Sequence, residues 1–345
     1  MFEIDGSQKS GSGTILRLAV AISAIMQQPL HIENIRSKRP QPGLKRQHLE
    51  SVLTAAKLCN ATVEGATLGS DELWFTPNTI EGGNVEAVIE TAGSIPMLFL
   101  ASLPLCVYAK TPVTLHVAKG GTDTLHAPTI NYLRFVLLPV LCKLGVNAEI
   151  SVQKYGYYPK GLGEATLTVK PAALKAFQFN RFGSLKSVSG VSVCTFLSER
   201  QVAQRQADSA MNFLAKNSYP TQIQVLNDHS NPYQRGSSIT LWAKTDTDVL
   251  VGADALGGIG KTSESVGVKA AEKLILELAA KPSVDVFLAD MLIPYIALAP
   301  GRSVFYTRCL SEHIEANIWL METMLNSTFN IEKINNLLYQ IEKTS

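Results

Sequence analysis

His313 is the residue whose type and position most suggest chemistry. Four apolar residues follow it at spacings of four, three and four: Ile314, Ile318, Met321 and Leu325. This spacing predicts a helix that begins at His313 and buries one face. Backbone N–H groups at the start of a helix lack intrahelical partners and favour negative charge. A histidine there is well placed to meet a phosphate. The alternative interpretation is a surface histidine at a helix start.

A basic loop near the N-terminus is the second candidate. Its five cations fall within eleven residues: Arg36, Lys38, Arg39, Lys45 and Arg46. Pro40 and Pro42 stiffen the loop, and Gly43 precedes a predicted helix, as His313 does. This pattern indicates a site for phosphate or for the RNA backbone. The alternative is a solvated charged face without a ligand.

Two charged residues stand out because their neighbours are apolar. Arg17 lies one turn into the first predicted helix, on an apolar face, where a cation destabilises the fold unless an anion pairs with it. Asp290 lies within the apolar run FLADMLIPYIALA. It is interpreted either as a helix N-cap or as a ligand-binding carboxylate.

Two glycine-rich stretches depart from the P-loop motif for nucleotides. In ALGGIGKTSE, Ala255 stands where a P-loop needs glycine, and in GSQKSGSGT, Ser12 stands where it needs lysine. The second stretch joins a strand to a helix, so its amides are predicted either to hold a phosphate or to form a tight turn. HExxH, GxSxG and Cys/His clusters do not occur in the sequence, which therefore identifies no metal ligands.

Composition sets broad limits on the class of protein. In 345 residues, 46% are hydrophobic and 17% charged, as in ordinary globular proteins, and a net charge of +2 confines any nucleic-acid contact to a local patch. Five cysteines without CxxC spacing, and an N-terminus without a signal peptide, predict a cytoplasmic location. The uncharged run from Thr91 to Ala109 could span a membrane, but Pro96 and Pro104 favour a buried core helix, so no membrane contact is expected.

An internal repeat organises the chain. The segment PLHIENI resembles PVTLHVAKG with His31 and His116 in register, and the offset of about 85 residues indicates a duplicated βαβαββ unit. His126 and His313 occupy similar places before their helices but lie 187 residues apart, so about a hundred residues are inserted. The predicted fold class is α/β (α+β). Three repeats form a large domain of residues 1–182 and 279–345, and a small α/β domain at 183–278 interrupts the third.

Seven motifs, in order along nearly the whole chain, resemble the RNA 3′-terminal phosphate cyclases. They are IDGSQKSGSGTILR, IRSKRPQPGLKRQHL, GGTDTLHAP, YGYYPKGLGE, ALGGIGKTSESVG, FLADMLIPYIALA and HIEANI. The resemblance implies repeats of the C-terminal type of translation initiation factor three. It also implies an ATP-dependent enzyme that converts an RNA 3′-phosphate to a 2′,3′-cyclic phosphate through histidine–AMP and RNA(3′)pp(5′)A intermediates.

The same resemblance implies roles for individual residues. His313 matches the histidine that attacks the α-phosphate of ATP. The positions that match phosphate contacts are Arg17, Arg36, Arg39 and Gln47, and those that match the adenylate-binding segment are Phe287, Leu288, Ala289, Asp290 and Met291. Leu100 and Met291 stand where the family usually has glutamine, and Ser10 stands where it usually has a glutamate linked to metal binding.

The expected co-substrate is therefore ATP with a divalent metal ion, Mg²⁺ or Mn²⁺, and the expected partner is RNA with a 3′-terminal phosphate. A homodimer is left open. One alternative is a non-catalytic cyclase-like protein of ribosome assembly, which would lack the nucleophilic histidine. Another is an enolpyruvyl transferase, which shares the repeat architecture but does not predict the basic loop or HIEANI.

Overall fold

The computed structural model describes residues 1–179 and 181–344, which form a mixed α/β protein with four sheets. The first sheet has strand order β1-β2-β4-β3, and β1 pairs with β2 in parallel while the other pairs are antiparallel. Two helices cross between its strands. The elements in chain order are β1 (Phe2–Asp5), α1 (Gly13–Met26), β2 (Leu30–Glu33), α2 (Arg46–Cys59), β3 (Thr62–Glu64) and β4 (Leu73–Thr76).

The second sheet repeats this arrangement. Its order is β5-β6-β8-β7, again with only the first pair parallel, and His116 lies on its second strand as His31 lies on β2. A five-residue π-helical stretch, Leu133–Leu137, joins its two short helices. The elements are β5 (Gly83–Val88), α3 (Ile95–Val107), β6 (Val113–Gly120), α4 (Ile130–Tyr132), α5 (Leu138–Lys143), β7 (Asn147–Lys154) and β8 (Gly163–Lys170).

A third sheet, of order β10-β9-β11-β12, follows with two helices packed against it and a 3₁₀ turn at Ser198–Arg200. Its elements are β9 (Leu185–Thr195), α6 (Val202–Lys216), β10 (Thr221–Asp228), β11 (Gly236–Thr245), β12 (Leu250–Leu256) and α7 (Ser263–Ala280). The last sheet is wholly antiparallel, with order β13-β15-β14. Its elements are α8 (Val286–Leu298), β13 (Ser303–Thr307), α9 (Glu312–Leu325), β14 (Phe329–Asn335) and β15 (Leu338–Lys343).

The centre of the molecule is a group of apolar helices. α1 contacts α3 and α9, and α8 contacts α3 and α9. Most of α1 and α3 is buried, as expected for helices that are apolar on nearly all sides. The uncharged run predicted to be a core helix is α3, and no helix in residues 1–179 and 181–344 is long and apolar enough to cross a membrane.

Asp285 joins three segments around this core. It caps α8, because its Oδ1 accepts hydrogen bonds from the backbone N–H groups of Phe287 (3.1 Å) and Leu288 (3.0 Å). The same carboxylate accepts a bond from the Tyr132 hydroxyl (2.6 Å) and one from Gly252 N in β12 (2.8 Å). The start of α8 is thereby tied both to α4 and to the third sheet. The N-cap interpretation of Asp290 is wrong, because Asp290 lies inside α8, five residues after its cap.

Candidate active site

His313 lies in the first turn of α9. Ser311 caps this helix by accepting a hydrogen bond from Ile314 N (3.1 Å), and its hydroxyl donates to Asp290 Oδ1 of α8. The His313 ring is partly buried, and its Nδ1 is enclosed without a hydrogen-bond partner. Burial lowers the pKa of His313, and the positive charges of Arg39 and Arg17 lower it further. The imidazole is therefore neutral at pH 7, and Nε2 is the nitrogen left to react.

Two cavities meet at this histidine. The first has a volume of about 480 Å³ and is lined mainly by apolar side chains, among them Phe287 and Met291. It is termed the apolar cavity. The second, of about 520 Å³, contains Arg36 and Arg39 and is termed the basic cavity. His313 and Arg17 line both. A ligand with an apolar part and an anionic part can therefore lie across the junction with its anionic group beside His313.

Helix geometry divides the predicted adenylate segment into two faces. Phe287, Asp290 and Met291 line the apolar cavity, whereas Leu288 and Ala289 are fully buried in the core. Residues three and four positions apart share a face of a helix, so a contiguous segment cannot all face one ligand. Leu100 lines the same cavity from α3. Three of the five segment residues and Leu100 are thus placed to contact a ligand directly.

Arg17 lies in the interior, only 7% exposed, at the junction of the two cavities. Its Nη2 donates to Thr14 Oγ1 (3.2 Å), and no carboxylate in the described ranges forms an ion pair with it. Burial lowers its pKa to about 10, so the guanidinium still carries its charge at pH 7. A buried cation without a counter-ion destabilises the fold unless an anion binds it. Its position predicts that the anion is a ligand.

The predicted phosphate-binding residues of the basic cavity differ in what they can do. Arg36 is buried, and its Nη1 donates to the carbonyls of Gln41 (2.8 Å) and Gly43 (2.6 Å), which holds the loop in shape. Arg39 is exposed and free to contact a ligand. Gln47 also lines the cavity, and its Oε1 accepts a hydrogen bond from Ser94 N (2.9 Å). That bond leaves the Gln47 amide group to donate.

His48 and His126 were not predicted as site residues. His48 lies in the first turn of α2, and burial followed by the charge of Arg17 lowers its pKa to about 2, so its ring is neutral. The ring packs against Gly13, where an added Cβ would come within 2.1 Å of His48 Nε2. His126 is exposed and lines both cavities. The motifs QHL and LHAP contain these histidines, but their spacing does not indicate that they line the same cavity as His313.

The third sheet and its helix also contribute to the site. One wall of the apolar cavity consists of Asp254 from the end of β12, and of Lys261, Lys269 and Lys273 in and before α7. Lys273 Nζ lies 5.5 Å from the centre of the Phe287 ring. No local signal identifies these residues, because chain spacing does not show that they line a cavity with residues of α8 and α9.

A protein-built metal site is not evident at the cavities. Residues 1–179 and 181–344 contain no group of three or more His, Cys, Asp or Glu side chains placed to hold a metal ion. Ser10 donates to Ser12 Oγ (3.0 Å), and Asp5 is occupied by Ser7, Gln8 and Asn34. Asp290 and Asp254 remain at the apolar cavity; burial raises the pKa of Asp290 to about 7 and also raises the pKa of Asp254. These residues do not fit a metal held by the protein alone.

Fold and site together define a mixed α/β protein in which an apolar and a basic cavity meet at a neutral histidine. A sequence model of the RNA 3′-terminal phosphate cyclase family matches residues 8–331. Relatives with the name RNA 3′-terminal phosphate cyclase include one from Pyrobaculum neutrophilum, 42% identical over 96% of this chain and 94% of its own length. Another, from Methanosarcina barkeri, is 42% identical over 98% of both chains. The chain belongs to the RNA 3′-terminal phosphate cyclase family.

Proposed function

We propose that this protein converts the 3′-terminal phosphate of RNA to a 2′,3′-cyclic phosphate in an ATP-dependent reaction. The observation that carries the proposal is the position of His313, a neutral imidazole between an apolar cavity that suits a nucleoside and a basic cavity that suits phosphates. A neutral imidazole is a nucleophile near pH 7. The relatives that match almost the whole chain carry the corresponding name.

The first step joins the nucleotide to the protein. The adenosine of ATP lies in the apolar cavity against Phe287, Met291 and Leu100, with Asp290 towards the ribose. Nε2 of His313 attacks the α-phosphate, so that a P–N bond forms and the bond from the α-phosphorus to the bridging oxygen breaks, releasing pyrophosphate. Arg17, already charged and fixed at the junction, stabilises the negative charge that shifts among the phosphate oxygens.

The remaining steps take place with RNA in the basic cavity. An oxygen of the RNA 3′-phosphate attacks the phosphorus of the histidine–AMP adduct, which breaks the P–N bond and forms RNA(3′)pp(5′)A. The ribose 2′-OH then attacks the 3′-phosphorus and AMP leaves. Arg39 and Gln47 hold the RNA phosphate in place for both steps, while Arg36 maintains the loop.

The chain has two domains in this proposal, and its co-substrate ATP binds together with a divalent ion. Residues 1–182 and 279–345 form the catalytic domain from three repeats, and 183–278 form the inserted domain; the shared strand order of the first two sheets supports the likeness of the first two repeats. A divalent ion, Mg²⁺ or Mn²⁺, enters with the ATP phosphates, since such ions are often held by one or two carboxylates together with substrate phosphates. Asp290 and Asp254 both line the apolar cavity, and Asp290 is the one hydrogen-bonded to Ser311, two residues before His313.

Two measurements test the function. Incubation with ATP labelled at the α-phosphate should leave an acid-labile label on the protein after denaturing electrophoresis. RNA with a labelled 3′-phosphate should become resistant to phosphatase only when ATP is present. Binding of RNA without either result would favour the non-catalytic alternative and contradict the proposal.

Arg39 and Arg36 should differ in their effects on RNA binding. Arg39→Ala is expected to weaken binding regardless of sequence and to reduce the slope of log Kd against log salt by about one unit, because one phosphate contact is lost. Arg36→Ala is expected to weaken binding by deforming the loop that Arg36 holds through Gln41 and Gly43. Fluorescence anisotropy over a salt series measures both. An unchanged slope for Arg39→Ala would mean that this arginine is only a solvated charge.

ATP binding should depend on pH through Asp290. Burial raises the pKa of this carboxyl to about 7, so it is protonated below that pH and ionised above it. Because the ionised form accepts hydrogen bonds from ribose hydroxyls, the KM for ATP is expected to fall as pH rises from about 6 to about 8. Asp290→Asn should remove this dependence. A pH profile of self-adenylation measures it, and identical profiles for the two proteins would exclude Asp290 as the titrating group.

A further inference from the structure

Two tyrosines are exposed beside the basic cavity. Tyr158 lies on its rim and is 75% exposed, and Tyr233 is 77% exposed. Tyrosine normally buries much of its apolar ring, so two almost free rings in one region call for a ligand. The Tyr158 hydroxyl makes no hydrogen bond to another described residue. Both residues therefore leave most of their surface open to a ligand.

The backbone that carries Tyr158 is nevertheless held firmly. The preceding residue, Tyr157, is buried, and its hydroxyl accepts a hydrogen bond from Thr195 Oγ1 (3.3 Å). Gly161 N donates to Tyr157 O (2.7 Å), and Gln234 Nε2 donates to Tyr158 O (3.0 Å). The backbone beneath the exposed ring is thus fixed in advance, which reduces the backbone entropy lost when a ligand binds against the ring.

The Gln234 bond also joins the two tyrosine segments. Gln234 directly follows Tyr233, so the loop with Tyr233 packs on the loop with Tyr158. Each tyrosine is followed two residues later by an exposed cation, Lys160 in one loop and Arg235 in the other. A surface that combines aromatic rings with cations suits single-stranded nucleic acid, whose bases stack on the rings while its phosphates contact the cations.

We propose that Tyr158 stacks on a base at the 3′ end of single-stranded RNA, and that Tyr233 contacts the strand further upstream. The inference rests on the proposed function, since the basic cavity holds the terminal phosphate and thereby directs the adjacent nucleotides over its rim. Arg39 lines the cavity together with Tyr158, and Lys160 is exposed two residues further along the Tyr158 loop, so cations are available to the phosphates that flank the stacked base. The stacking is independent of base identity, because every base has an aromatic face.

The test uses a short RNA with a 3′-phosphate and 2-aminopurine as its last base, whose fluorescence is quenched by stacking. Binding to the unaltered protein should quench it. Tyr158→Phe keeps the ring and should retain both quenching and affinity, whereas Tyr158→Ala should lose the quenching and raise Kd by about tenfold, which corresponds to about 1.4 kcal/mol. Tyr108→Ala, at a partly exposed tyrosine that lines neither cavity, is the matched control.

The salt series separates stacking from charge. Tyr158→Ala should leave the salt slope unchanged, because no phosphate contact is lost. Quenching and affinity that are the same in Tyr158→Ala as in the unaltered protein would overturn the inference. If Tyr158 quenches the 2-aminopurine fluorescence but the protein makes no cyclic phosphate, the proposed function is contradicted and the stacking inference still holds. If sedimentation shows that Tyr158→Ala only breaks a dimer, the ring packs on a second copy and the inference is wrong.

Discussion

Replacing His313 with alanine is expected to abolish self-adenylation and to reduce ATP-dependent cyclisation by more than about 10³-fold, because the alanine variant has no nucleophile to accept AMP. The variant should still convert RNA that already carries AMP on its 3′-phosphate, since the attack of the 2′-OH needs no histidine–AMP adduct. The fold should persist, because His313 Nδ1 has no partner to lose. Electrophoresis after reaction with labelled ATP, and chromatography of the RNA product, measure the two activities.

His116→Ala is the control for this substitution. His116 lies on β6, near Glu164 and Thr166, and lines neither cavity. Its replacement should leave both activities near the level of the unaltered protein. Normal ATP-dependent turnover by His313→Ala would exclude the proposed nucleophile, and failure of both activities together with loss of the thermal transition would indicate unfolding instead.

Replacing Arg17 with methionine should slow self-adenylation while increasing the free energy of unfolding. The self-adenylation rate is expected to fall by about 10²- to 10³-fold, because a fixed charge at the junction of the two cavities is lost. The free energy of unfolding is expected to rise by about 1 kcal/mol or more, because methionine fills a similar volume without a buried, unpaired charge. Chemical denaturation and single-turnover kinetics measure the two effects.

Arg205→Met provides the matched comparison. Arg205 is partly exposed and forms a two-pronged pair with Glu264 (2.7 and 2.9 Å) at the protein surface, so its loss should change neither adenylation nor stability appreciably. ATP should raise the thermal midpoint of the unaltered protein more than that of Arg17→Met, since the anion that pairs with Arg17 is the ligand. A destabilised but fully active Arg17→Met variant would mean that the guanidinium serves packing alone.

The mixed α/β class and most elements could be predicted from local sequence. The apolar stripe from Ile314 to Leu325 predicted α9, which begins one residue earlier than expected, at Glu312. The uncharged run at Thr91–Ala109 predicted α3, and the offset between His31 and His116 matches equivalent strands of two like-ordered sheets. Periodicity is a local property, so it is visible without the fold. The need of Arg17 for an anion was visible too, because an arginine among apolar residues is costly wherever it lies.

The composition of the site was decided by tertiary structure. Only the folded chain shows that Lys269 and Lys273, which lie on α7, form a wall of the cavity that contains Phe287. It also shows that Asp285, not Asp290, caps α8, and that Arg36 donates a hydrogen bond to a carbonyl of its own loop. The sequence by itself determined which segments become helices and strands and which residue types can act on phosphates. Which of these side chains meet depends on packing between segments distant in the chain, and local spacing does not encode that packing.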